Sequence, residues 1–191
     1  MSRYATLLQL KDHISVDDSI DDVELELALD AAERLIDDYC RRRFDEVDPD
    51  VDAATERTYR DLGYIDDVVD VDKLEVRYSR GGDWQQITDY DLEPFNAASD
   101  GQPHTKISAP GVGRVDRVKV TGWFGWPETP AAVTQATVLQ SARVAQRRAA
   151  PFGIQTVPQL DGGAPMRLLA KLDADVELLL HGLRRNPVMV A

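Results

Sequence analysis

The sequence predicts an α+β protein: a small bundle of about four helices with a β-rich insertion between the second and third. Three observations predict it. Apolar residues recur every three or four positions near both ends of the chain, and they alternate every second position in the middle. Helical and strand-like segments are also segregated in blocks, unlike the alternating order of a parallel-sheet fold. The boundaries fall at 1–55 and 127–191 for the helical part and 56–126 for the insertion.

Each element follows from its local chemistry. Thr6-Leu7-Leu8-Gln9 has the form of a capping box, a hydroxyl at the N-cap and an amide three residues on. Leu7, Leu8, Leu10 and Ile14 then supply the apolar positions of a short helix to about His13. Val16 to Ser19 breaks it, and Asp21-Asp22-Val23-Glu24 restarts with acidic residues. In the second helix Leu25, Ala28, Leu29, Ala32, Leu35, Ile36, Tyr39 and Cys40 form one stripe. Glu24, Glu26, Asp30, Glu33, Asp37 and Asp38 fall largely off it. Acid at its start and Arg41-Arg42-Arg43 at its end both suit the helix dipole, and Phe44 is expected to pack back as the helix ends.

Residues 45–54 read as an exposed acidic linker. Beyond them Thr58-Tyr59-Arg60 predicts a short strand, and Leu74, Val76 and Tyr78 alternate with Glu75, Arg77 and Ser79 in a half-buried one. Gly81-Gly82-Asp83 is a tight turn into a returning strand from Trp84 to Thr88. Tyr90 and Leu92 alternate with acids, residues 96–104 read as a loop, and Pro110-Gly111-Val112-Gly113 as a hairpin turn. Val118 and Val120 mark a strand running into Gly122-Trp123-Phe124-Gly125-Trp126. Pro130 after Thr129 starts a third helix that ends near Arg147-Arg148. Residues 149–165 are loop-like, and a last helix is expected from Asp173 or Asp175 to Arg184-Arg185. Asn186-Pro187 stops it, and an apolar tail without period follows.

The composition fits a folded domain with a core: 191 residues, 43% hydrophobic and 29% charged. No apolar run reaches membrane-spanning length, and Met1 to Thr6 carries no apolar leader, so no secretory signal is expected. Cys40 is the single cysteine, which excludes an internal disulfide framework and a cysteine-based zinc site. A net charge of −12 argues against a protein that grips DNA phosphates broadly. The charge is uneven: residues 11–75 hold 23 acids against 8 bases, a net of −15, whereas residues 141–191 hold 4 against 7, a net of +3. Such acid fits a salty habitat or a codon bias, and equally a surface that repels nucleic acid or meets a basic partner.

The chemical motifs are poor. Gly111-Val112-Gly113 is not followed by the third glycine or the helix that phosphate binding needs. His13, His104 and His181 have no metal-ligand spacing. Asp48-Pro49-Asp50-Val51-Asp52 begins like a calcium loop, but Ala53 and Tyr59 stand where Gly and Glu are required. Asp66, Asp67, Asp70 and Asp72 read as an acidic strand edge. Cys40 lies on the apolar stripe and reads as an inert core thiol. No catalytic, cofactor-binding or metal residue is therefore assigned. The aromatic cluster Trp123, Phe124 and Trp126 reads as a plug at the seam between insertion and bundle, with a subunit contact as its alternative; Gly122 and Gly125 allow close backbone approach. Phe152 belongs to the same set of seam or subunit-contact candidates.

Taken in order, several segments resemble the head–tail connector (adaptor) family of long-tailed bacteriophages. They are Tyr4 to Lys11, the acidic helix from Asp21 to Tyr39 closing with Cys40-Arg41-Arg42-Arg43-Phe44, and Val118 to Pro127. Pro130, Gln135-Ala136, Arg147 to Gly153 and Leu172 to Glu177 complete the pattern. The departure is the length between Thr55 and Trp126, which resembles larger, β-inserted members from phages of high-GC hosts.

The resemblance implies a structural virion protein at the head–tail interface, assembled in the host cytoplasm, not an enzyme. It implies a ring, usually of twelve subunits, beneath the portal, which extends the DNA channel and offers a platform to stopper or tail proteins. The isolated chain can then be monomeric, and DNA passes without specific binding. Another neck or tail-completion protein is the alternative, with a small acidic hydrolase less favoured. In a connector, Glu26, Asp30, Glu33 and Asp37 are candidates to line the channel, because repulsion lets a polyanion slide. Pro187, Val188, Met189 and Val190 are candidates to dock on the portal.

Overall fold

A computed structural model describes residues 4–69, 75–148, 154–155, 166–167 and 172–185. The chain forms two compact units, one from Arg3–Arg42 with Pro130–Arg185 and one from Arg43–Thr129. In chain order the elements are α1 (Leu7–Ile14), α2 (Asp22–Cys40), β1 (Thr55–Tyr59), β2 (Tyr64–Val68), β3 (Glu75–Arg80), β4 (Asp83–Ile87) and β5 (Asp91–Glu93). They continue with β6 (His104–Ser108), β7 (Arg117–Gly122), α3 (Ala131–Arg148), β8 (Ile154–Gln155), β9 (Met166–Arg167), α4 (Ala174–Leu180) and a 3₁₀ turn at His181–Leu183. This is the expected α+β layout, with the strand-rich segment between the second and third helices.

In the helical unit the capping box forms as its residues predict. The Gln9 backbone N–H donates to Thr6 Oγ1 at 3.2 Å, and the Thr6 N–H donates to Gln9 Oε1 at 2.8 Å. Ser15 ends α1 in the left-handed conformation, and Lys11 reaches Asp22 at 2.7 Å, fastening α1 to the start of α2. Leu10, Leu25 and Leu29 share a buried core with Ala5 and Ala142, and Val138 of α3 packs on it. Burying each of those leucines contributes about 1.5–3 kcal/mol. Leu35, expected on the buried stripe of α2, sits at its edge and is 36% exposed.

Helix α3 buries two hydroxyls and resolves their polarity locally. Thr137 donates to the Val133 carbonyl at 2.8 Å and Ser141 to the Thr137 carbonyl at 2.6 Å. Fully buried Gln140 accepts from the Asp173 N–H at 3.3 Å, and Arg143 pairs with the Asp173 carboxylate. Asp173 in turn caps α4 by accepting from the Asp175 N–H. The stretch expected to be loop from 149 to 165 contains one end of a short antiparallel pair, Ile154 and Gln155 against Arg167 and Met166.

The second unit has a four-stranded antiparallel sheet in the order β1-β7-β3-β4 and a three-stranded one in the order β2-β6-β5. Val76, Ile87, Val118 and Val120 of the first share one core with Ile65, Val68, Leu92 and Ile107 of the second. The β3–β4 hairpin closes over Gly81 and Gly82 at φ 68° and 103°, the positive angles a two-residue turn needs. Two strands are not signalled by alternation. β2 has a register break between Tyr64 and Val68 that turns both Asp67 and Val68 inward. β6 begins at the end of the expected loop. The turn at Pro110–Gly113 is not a hairpin, because β6 and β7 on either side of it belong to different sheets.

Candidate functional site

The acidic ridge comes from helical spacing. Glu26, Asp30, Glu33 and Asp37 recur at intervals of four, three and four residues and so run along one flank of α2. Glu26 is exposed, and the other three are half-buried. Glu33 and Asp37 also serve the fold. The Tyr4 N–H donates to Glu33 Oε1 at 3.0 Å, and the Tyr4 hydroxyl donates to Asp37 Oδ1 at 2.7 Å. Tyr4 is only 5% exposed, so these carboxylates hold the segment leading into α1.

The aromatic cluster is built into the strand-rich unit. Its backbone threads between two neighbouring segments: Trp126 N–H donates to the Asp45 carbonyl at 2.9 Å, and Gly125 N–H to that of Asp67 at 3.0 Å. Val47 N–H returns to Trp126 at 3.0 Å, and Val69 N–H to Trp123 at 2.9 Å. Trp126 is buried with its indole N–H 3.3 Å from Asp67 Oδ2. Phe44, expected to fold back on the helix end, takes Trp126 as a ring partner at 5.2 Å between centroids. Arg57 lies over the Phe124 ring at 4.3 Å and pairs with Asp66 at 2.7 Å. The Trp123 indole donates to the Asp52 carbonyl at 2.7 Å. The supposed linker 45–54 therefore takes part in holding this segment. Phe152, Pro187, Val188, Met189 and Val190 lie outside the described residues.

Among the described residues, no group of three or more His, Cys, Asp or Glu side chains could hold a metal ion. An open cavity of about 620 Å³ in the strand-rich unit is lined by Arg60, Lys106, Arg114, Asp61 and Asp116 beside apolar Leu62 and Val112. Two of those charges already serve structure: Lys106 pairs with Glu93, and Asp116 accepts from the Gly81 N–H. Burial pushes the Cys40 thiol up to about 11, the opposite of what a nucleophilic cysteine needs. Tyr59 is likewise raised, mainly by burial beside Asp66, and His104 is lowered, mainly by burial.

The periodicity passes over one surface. Val23 and Leu27 are 72% and 62% exposed, on the side of α2 away from Leu25, Leu29 and Ile36, and Ile20, 86% exposed, lies in the turn just before the helix. Their signal is present in the sequence: apolar residues at i, i+3 and i+7 that do not belong to the buried stripe.

The described residues thus form a capped helical unit and a strand-rich insertion between its second and third helices. Residues 4–69 match the family model of the phage gp6-like head-tail connector proteins, the stretch that holds α1, the Tyr4 clamp and the acidic α2. No curated protein matches the sequence. Two solved structures share the fold across nearly the whole chain. A chain from the neck of an empty gene transfer agent particle has a TM-score of 0.52 at 17% identity, covering 98% of this chain and 93% of that one. A chain from the virion of the native gene transfer agent particle has a TM-score of 0.51 at 16% identity, with the same coverage. The family match, together with this fold, supports a structural connector role.

Proposed function

We propose that this protein is a ring-forming head–tail connector subunit in the neck of a tailed particle. It sits beneath the portal, extends the DNA channel and presents a platform to stopper or tail proteins. The observation that carries this reading is the family match over Tyr4 to Val69, where the capping box and the Tyr4 clamp fix α1 against α2. The neck chain that shares the fold was reconstructed with sixfold symmetry, which supports a ring here. The role needs no catalysis. It needs a rigid wedge and a wall that does not hold DNA, and a helix carrying Glu26 and Asp30 beside Glu33 and Asp37 offers such a wall. Pro187 to Val190 is the segment proposed to dock on the portal.

Electron microscopy of the protein mixed with its portal tests the reading. A ring stacked coaxially on the portal, with the acidic flank of α2 toward the lumen, is expected. Absence of any association refutes the connector role, and a ring with that flank on its outer wall refutes the channel-lining part alone. Deleting residues 186–191 should abolish portal binding, and retention of binding refutes the docking segment.

A further inference from the structure

We infer that a second copy of this chain lays its β1 edge against the β4 edge, joining two four-stranded sheets head-to-tail. The inference rests on the ring-subunit reading and names its lateral contact. The sheet runs β1-β7-β3-β4 with every neighbouring pair antiparallel, so β1 and β4 are its two edges and run in opposite directions. Each is five residues long, and in each the first four residues are exposed. Among the described residues, no backbone hydrogen bond reaches either strand from outside its own sheet. Neither strand holds proline, glycine, lysine or a register break, the usual means of blunting an edge. Arg57 turns to the inner face of β1, but Asp66 neutralises it there at 2.7 Å. Open edges of this kind take up a further strand through main-chain hydrogen bonds.

The register follows from the two faces of the sheet. Ile87 pairs with Val76 and Arg57 with Val120, so odd-numbered residues of both edge strands share the inner face. Full antiparallel overlap then sets Trp84 opposite Thr58 of the next copy, Gln85 opposite Arg57 and Gln86 opposite Glu56. Asp83 and Ile87 meet Tyr59 and Thr55. The charges on the two strands are Glu56, Arg57 and Asp83, and no like pair meets in this register. Asp83 lies diagonal to Arg57 on the same face, and Trp84 with Thr58 is a favourable aromatic–β-branched pair. Twofold pairing of β1 with β1 sets Glu56 against Glu56 when centred there, or Arg57 against Arg57 one residue on, and like charges directly opposite are destabilising. Twofold pairing of β4 with β4 has no such conflict, but it ends at a dimer with both β1 edges still open. The β1–β4 contact uses both edges, continues the antiparallel order and is heterologous, the kind that closes into a ring when the rotation allows.

Cysteine cross-linking tests this. Glu56→Cys and Gln86→Cys chains are mixed and oxidised with copper phenanthroline, both as purified protein and in neck particles carrying the variants. Both positions are exposed, and far-UV circular dichroism confirms folding; Cys40 is fully buried and stays silent. The mixture should link about tenfold or more above either variant alone, and the doubly substituted chain should give a ladder of multimers. Hydrogen exchange of the wild-type chain provides a measurement free of substitution: amides in 55–59 and 83–87 should slow by about tenfold or more on passing from free protein to necks. Four results overturn the contact: Gln86→Cys or Glu56→Cys linking chiefly to itself, linking only to another neck protein, no link in either preparation, or unchanged exchange at both edges. If the mixture links but the wild-type chain is missing from necks, the connector role fails and the contact stands. If the chain is present in necks but the mixture does not link, the contact alone fails.

Discussion

Tyr4 and Asp37, 33 residues apart, are joined by a 2.7 Å hydrogen bond from the phenolic hydroxyl to the carboxylate. The Tyr4 ring is buried and its backbone N–H is held by Glu33, so two acids of α2 fix the chain before α1 begins. Tyr4→Phe keeps the ring and removes one charge-assisted bond, leaving Asp37 half-buried. The expected cost is about 1–2 kcal/mol in urea unfolding. A change within experimental error would show that the Tyr4–Asp37 bond contributes nothing.

Gly125 packs against the chain at Asp45 and Val47. A Cβ there would sit 2.6 Å from the Asp45 carbonyl oxygen and closer still to a Val47 methyl. The neighbouring oxygen belongs to the backbone and already accepts from the Trp126 N–H, so it cannot move aside cheaply. Gly125→Ala should cost about 1–3 kcal/mol and broaden the Trp126 signals in NMR spectra. Alanine tolerated without loss of stability would mean that the segment re-threads.

Cys40 is fully buried, and desolvation raises its thiol to about 11. Alkylation by iodoacetamide at pH 8 should therefore wait for unfolding and track the unfolded population across a denaturant series. Rapid labelling of the folded chain would place Cys40 on an accessible surface.

His104 titrates below its ordinary value, chiefly because burial disfavours the imidazolium, with the Pro94 carbonyl pulling modestly the other way. The unfolded chain therefore binds a proton at a higher pH than the folded one. Stability should be unaffected by this group above about pH 6.5 and should fall as the pH drops from there through the lower folded value. Denaturant midpoints between pH 7 and pH 5.5 should show the slope in the wild type and a weaker one in His104→Leu. Equal slopes would sink the assignment.

The helices are legible in the sequence because their signals are local. Thr6 with Gln9, Pro130 after Thr129, and Asp173 before α4 each mark a terminus within one turn. The β3–β4 hairpin is legible from Gly81-Gly82. β2 is not, because its register break puts Asp67 and Val68 inward together, and the Asp67 carboxylate accepts there from the Trp126 indole, 59 residues away. The acidic flank of α2 can be read from spacing. That Glu33 and Asp37 bind Tyr4 cannot, since nothing local to α2 specifies a partner near the start of the chain.

The strand-rich unit is closed where the chain enters and leaves it. Glu46 and Trp126 form a parallel bridge, and the Thr129 hydroxyl donates to the Phe44 carbonyl at 3.2 Å. Everything between those points is, for the rest of the polypeptide, a loop with its ends already tied. The entropy of closing such a loop grows only with the logarithm of its length, so each doubling costs about 0.6 kcal/mol. Evolution could therefore lengthen, shorten or exchange this module cheaply, while the sequence of the helices stays under its own separate constraints.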